Sequence, residues 1–198
     1  MGRVDLVQGD HDELVIEALP EICSRIQTTV TDNTLLIDYA EDWKDWTGFR
    51  TLSGDKIRFR LMMREISALS ISGVGSLDCP RLDTPALTLA ITGPGLLTIG
   101  TLKTRKLDVA LSGVGSVDIA GTADELNLTL SGAGAFRAAR LETTRSDVRL
   151  SGVGSATVWA KEALNASISG AGMIEYYGSP RISQSNTGLG VLKFMGNR

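Results

Sequence analysis

The motif Ser/Thr-Gly-x-Gly occurs seven times in this chain, beginning at Ser72, Thr92, Ser112, Ser131, Ser151, Ser169 and Thr187, at intervals of 20, 20, 19, 20, 18 and 18 residues. No other feature constrains the fold as strongly. A solenoid needs each coil to return to the same corner, whereas unrelated ligand loops have no reason to keep a common spacing. The glycines therefore read as punctuation of a repeated turn.

Alignment on the first glycine of each motif exposes period-two alternation on both sides. Before it stand Ile71 and Leu69, then Ile91, Leu89 and Leu87, then Leu111, Val109 and Leu107, then Leu130, Leu128 and Leu126. Polar residues such as Ser70, Thr88, Asp108, Asn127, Thr129, Asp147 and Arg149 lie between them, so each stretch reads as a strand with one wet face. After the glycines a second apolar pair recurs: Leu77 and Cys79, Leu97 and Ile99, Val117 and Ile119, Phe136 and Ala138, Ile174 and Tyr176, Leu192 and Phe194. "RLDT", "TLKT" and "RLET" supply a third short side with Leu82, Leu102 and Leu141 in one column. Coils this short leave no room for a helix after each strand, which excludes βαβ folding. Stacked coils with parallel strands about 4.8 Å apart give a rod roughly 33 Å long. The handedness rule for parallel connections makes it right-handed. The predicted fold is an all-β, right-handed parallel β-helix of 18–20 residues per coil, one domain over residues 1–198, with strands, opening coils and a cap in 1–65 and seven coils in 66–198.

The paired glycines are Gly73 and Gly75, Gly93 and Gly95, Gly113 and Gly115, Gly132 and Gly134, Gly152 and Gly154, Gly170 and Gly172, and Gly188 and Gly190. Two properties of glycine suit such a corner: it tolerates positive φ, and it lets neighbouring backbones approach closely. The hydroxyl before each pair is expected to bond backbone groups or the next hydroxyl, forming a structural ladder. A phosphate loop needs a third glycine and a helix start, and strand residues stand there instead. Calcium-binding nonapeptides recur every nine residues with an aspartate, which this chain lacks. Between the glycines stand Val74, Pro94, Val114, Ala133, Val153, Ala171 and Leu189, apolar in every copy. Strict alternation puts this column outside, as a partner stripe; the flanking glycines allow it to tuck inward instead. We expect the inward arrangement.

The series "LSGVGSVDI" and "LSGAG", with "VDLVQGDHDELVIEA" and "VTDNTLLIDY" before it and "YYGSPRISQSNTGLGVLK" after it, resembles the bacterial "putative auto-transporter adhesin, head GIN domain" family over essentially the whole chain. The closing Tyr177, Gly178, Pro180 and Gly188 fit its last coil. The resemblance implies a β-helix-like fold in cell-envelope or exported proteins without an established enzyme activity.

Composition narrows the function classes. With 20 basic and 23 acidic residues the net charge is −3, and no basic stripe exists to neutralise phosphates, so nucleic acid is not expected as a partner. No apolar run reaches the length of a spanning helix, and "MGRVDLVQGD" lacks the order of a signal peptide. Cys23 and Cys79 are the only cysteines, with no CxxC and no histidine cluster, and read as free core thiols. No metal or cofactor is expected.

Residues 1–65 lack the Gly-x-Gly period but alternate as strands, with one helical turn in "LPEICSRIQ". "YAEDWKDWTGFR" carries Trp43 and Trp46. Paired indoles can hold a sugar, although a loop covering the end of the rod is the reading we prefer. His11, the only histidine, is placed in a hairpin turn and given no metal or catalytic role.

Parallel β-helices can host hydrolases and lyases, which need acids or bases converging on one face. The outward column Asp78, Thr98, Asp118, Arg137, Thr157, Glu175, Lys193 mixes signs and predicts an Asp118–Arg137 pair. A second column, Asp108, Asn127, Asp147, Asn165, reads as a hydrogen-bonding ladder. The expected function is therefore non-catalytic: an envelope module that binds or adheres to glycan or protein, or alternatively a scaffold that self-associates as a homo-oligomer.

Overall fold

The computed structural model describes residues 2–39 and 57–198. Trp43 and Trp46 lie outside them. Alternating apolar residues with β-branched neighbours favour extended chain, and the described residues form fifteen strands and one helical turn. In chain order these are β1 (Gly2–Gln8), β2 (Glu13–Glu17), α1 (Pro20–Cys23), β3 (Ile26–Thr31), β4 (Thr34–Tyr39), β5 (Ile57–Met63), β6 (Ala68–Ile71), β7 (Gly75–Asp83) and β8 (Ala86–Ile91). They continue with β9 (Gly95–Leu111), β10 (Val114–Leu130), β11 (Ala133–Leu150), β12 (Val153–Ile168), β13 (Ala171–Tyr177), β14 (Arg181–Asn186) and β15 (Val191–Phe194). Each long strand from β9 to β12 bends round several sides of one coil, and consecutive coils pair in parallel. The result is a β-solenoid of about six turns, which the seven stacked corners bound.

The columns read from the repeat form the interior. Leu89, Ile91, Leu107, Leu111, Leu128 and Leu130 are buried from one side, and Leu97, Ile99, Val117, Ile119 and Phe136 from the other. Leu82, Leu102 and Leu141 close the third side, and all belong to one continuous core. Coil length varies without disturbing the corner, where Val114, Ala133, Val153 and Ala171 stay in register. The register shifts fall on the third side instead, between Asp118 and Ala120 and between Arg137 and Glu142. Gly121, at φ 126°, sits beside the first of these shifts.

The chain enters one coil inside the rod. β1 pairs in parallel with β7 on one flank and β5 on the other, and β2 then adds antiparallel to β5 as an edge. A second apolar cluster of Ile22, Ile57 and Phe59 lies there, packed by Leu14, Ile16 and Ile37. The separate β3–β4 hairpin turns through Asp32 and Asn33, both at positive φ as a two-residue hairpin turn requires. Because β1 and β2 both pair with β5 and not with each other, His11 sits in a crossing loop, not in the expected hairpin turn. Among the described residues no helix is long and apolar enough to cross a membrane.

Candidate functional site

The backbone at the glycine corner is satisfied by the coil below it. Ser112 and Gly113 N–H both donate to the Ile91 carbonyl, Ala133 N–H to Gly113, and Val153 N–H to Gly132. This stacking explains the glycines, and it corrects one half of the sequence argument. None of the corner glycines takes positive φ; that conformation belongs to Gly121, Gly178 and Gly196. The constraint is close approach. A Cβ on Gly113 would fall 2.6 Å from the Thr92 carbonyl carbon, and one on Gly132 2.5 Å from the Ser112 carbonyl carbon. Gly73, at the first corner, has open space where its Cβ would be.

The same geometry decides where the intervening column points. Val74 is 48% exposed, Val114 62%, Val153 64% and Leu189 90%, and Pro94, Ala133 and Ala171 are exposed as well. The inward arrangement is thus overturned. With the glycine backbones already in contact with the next coil, no room remains inside the corner, and alternation carries straight through it.

The hydroxyl column departs from expectation in a more informative way. Ser72, Thr92, Ser112, Ser131, Ser151, Ser169 and Thr187 are all exposed, and among the described residues their hydroxyls bond no protein atom. Backbone-to-backbone bonds have already satisfied the corner, so the hydroxyls have no structural work left there. Two residues beyond the apolar column lies a third, with Ser76, Leu96, Ser116, Ala135, Ser155, Met173 and Val191 exposed or half-buried. In these three columns not one position carries a charged side chain. The corner face is a strip of hydroxyls and small apolar groups repeating at the inter-strand distance of about 4.8 Å. Its border is marked by Arg137, whose Nη1 donates to the Ser116 hydroxyl.

The other faces are different. Asp118 pairs with Arg140 at 3.4 Å, not with its register neighbour Arg137 as expected, because Arg137 turns toward Ser116. Asn127 Nδ2 donates to Asp108 Oδ1 at 2.7 Å, and Thr157 donates to Glu175 at 3.2 Å. Asp147 turns to Arg149 at 3.0 Å, which interrupts the acid–amide ladder. His11 contacts Asp10 through Nδ1 at 2.6 Å and Glu13 through Nε2 at 3.8 Å, all exposed, and its pKa is raised by the hydrogen bond to Asp10. Among the described residues no three His, Cys, Asp or Glu side chains are placed to hold a metal ion. Cys23 and Cys79 are both free thiols.

Charged ladders on the flanks and an uncharged, regularly spaced corner place this chain among the parallel β-solenoid repeat proteins. The chain belongs to the "putative auto-transporter adhesin, head GIN domain" family, whose model matches residues 2–180. Among solved structures it is similar to a putative adhesin from Bacteroides fragilis, at 29% identity and TM-score 0.88, covering 98% of this chain and 88% of that one. A putative lipid binding protein from Parabacteroides distasonis shares the fold at 20% identity and TM-score 0.68, covering 98% and 89%. A putative adhesin from Parabacteroides merdae does so at 18% identity and TM-score 0.69, with the same coverage. No protein of curated function matches in sequence. These names suggest binding or adhesion and identify no target.

Proposed function

We propose that this chain is a non-catalytic binding module of the bacterial cell envelope, and that its corner face engages a glycan or protein partner. The observation that carries the reading is the unbonded hydroxyl column beside an exposed apolar one, uncharged through seven corners of a chain in which 22% of residues are charged. Exposed apolar stripes with polar borders mark partner surfaces. Hydroxyls without protein partners keep both donor and acceptor capacity for a neutral ligand. The envelope setting rests on the family's description as an auto-transporter adhesin.

The test uses two exposed positions of the middle column, Val114 and Val153. The double variant Val114→Lys/Val153→Lys is expected to melt within a few degrees of wild type and to lose binding to any neutral glycan that a stable wild-type monomer captures on an array. Retained binding in the folded double variant would move the site elsewhere. A second reading is favoured by the small side chains of the face, since Ala133, Ala135 and Ala171 let another flat sheet approach closely. A concentration-dependent ladder of species in sedimentation, abolished by the same pair of lysines, would assign the face to self-association in a scaffold.

A further inference from the structure

At its N-terminal end the corner face runs into a depression of about 1000 Å³, the upper end of the roughly 300–1,000 Å³ typical of small-molecule sites. Its floor is the first two corners, with the side chains of Val74, Pro94 and Leu96. Leu19, where the chain leaves β2 for α1, also lines it. Leu96 and Leu19 are about half exposed, at 46% and 48%.

Two guanidiniums border the depression. Arg3 on β1 and Arg58 on β5 occupy adjoining strands in register. Both approach Asp5, Arg3 through Nε to one carboxylate oxygen at 2.8 Å and Arg58 through Nε to the other at 2.5 Å. A single carboxylate thus serves two cations, and among the described residues the terminal Nη atoms of both make no hydrogen bond to protein. Asp5 itself lies outside the lining, and the acid among the described lining residues, Glu17, is held by Arg60 at 3.0 Å. Asp78 adds only a weak electrostatic influence on Arg3. Uncommitted guanidinium edges are suited to bidentate recognition of a carboxylate or phosphate.

We propose that this depression binds an anionic single-chain amphiphile, with its alkyl chain on Val74, Pro94, Leu96 and Leu19 and its carboxylate or phosphate head on Arg3 and Arg58. The site is separate from the middle of the corner face, because Val114 and Val153 lie outside its lining. Its failure and that of the proposed adhesive function can therefore be told apart.

Calorimetric titration of the full chain with dodecanoate and dodecyl phosphate, each below its micelle concentration, tests the assignment. One molecule of either should bind per chain. Leu96→Asp is expected to weaken both by about tenfold or more, since it puts a charge on the apolar floor, and Leu19→Asp serves as an independent variant elsewhere on the lining. Arg3→Gln/Arg58→Gln should bring dodecanoate down to the affinity of dodecanol while leaving dodecanol unchanged. Melting temperatures of all variants check that the fold is retained. Val114→Lys/Val153→Lys should bind dodecanoate as wild type does. Unchanged dodecanoate binding in both folded aspartate variants would overturn the proposal. So would displacement of dodecanoate by inorganic phosphate at equal potency, which would reveal an anion site with no use for the chain, and so would loss of dodecanoate binding in the Val114/Val153 variant.

Discussion

Several coils carry hydroxyls at two places, and they do opposite things. On the third side, Thr84, Thr104 and Thr143 are buried. Thr84 donates to the Ala86 carbonyl at 3.2 Å, Thr104 to the Lys106 carbonyl at 3.0 Å, and Thr143 bonds both Ser146 at 2.7 Å and the Trp159 carbonyl at 2.7 Å. At the glycine corner the hydroxyls are exposed and bond no described protein atom. The difference lies in what the backbone leaves undone. At the glycine corner, coils approach so closely that main chain satisfies main chain. On the third side the chain turns with the ladder interrupted beside Thr143, and side chains there complete the hydrogen bonding. A hydroxyl is therefore structural on the third side, where Ala123 replaces it in one coil, and unbonded at the glycine corner, where every copy of the motif keeps it.

The largest effect expected is at the close-approach glycines. Gly113→Val should destabilise the protein by about 3 kcal/mol or more, in the range of strain and overpacking in a core, because its Cβ would press on the Thr92 carbonyl. Gly73→Ala, with nothing near the new atom, should stay within about 0.5 kcal/mol of wild type. Equal chemical-denaturation midpoints for the two variants would break the claim that stacking, and not the turn itself, demands glycine.

Next in size is the contrast between the two kinds of hydroxyl. Thr143→Val removes a buried donor and leaves Ser146 short of a partner, at a cost of about 1–3 kcal/mol. Ser151→Ala, at the glycine corner, should change stability by less than about 0.5 kcal/mol. Urea unfolding of both variants measures the difference, and a comparable loss in Ser151→Ala would show that the corner hydroxyl has a structural role after all.

Alkali probes the interior of the same coils. Burial raises the Cys79 thiol from 9.0 to about 11. The unfolded chain then releases this proton at lower pH than the folded one. The contribution is fully present below about pH 9 and is lost as pH rises through about 11. Cys79→Ala should flatten that alkaline slope in melting temperature against pH, and an unchanged slope would assign it to other groups.

The smallest effects belong to the charged flanks. Asp118→Asn and Asp108→Asn are expected to shift stability by no more than about 1 kcal/mol, as exposed ion pairs do, and to leave glycan or amphiphile binding as it was. A marked loss of binding in either would extend the functional surface beyond the uncharged corner.

Much of this molecule was legible from residue spacing. The interval between Gly-x-Gly motifs set the coil, and period-two alternation selected Leu89, Leu97, Leu107 and Leu128 for the interior, because burial on one face of a strand leaves a local signature. The absence of charge from the corner columns is also a property of the string alone. The pairing of β1, β2 and β5 was not legible: β1 inserts between β5 and β7, which follow it in the chain, and no local pattern encodes which edge a strand will choose. Pairing of Asp118 with Arg140, and of Arg3 and Arg58 around Asp5, likewise depends on register between coils. The sequence by itself determined the solenoid and its core, since periodicity is a local property of the chain. Only the tertiary structure decided that the corner column faces outward, that its hydroxyls are free, and that two arginines distant in sequence border one depression. Those outcomes follow from the distance between stacked backbones, which no single coil specifies.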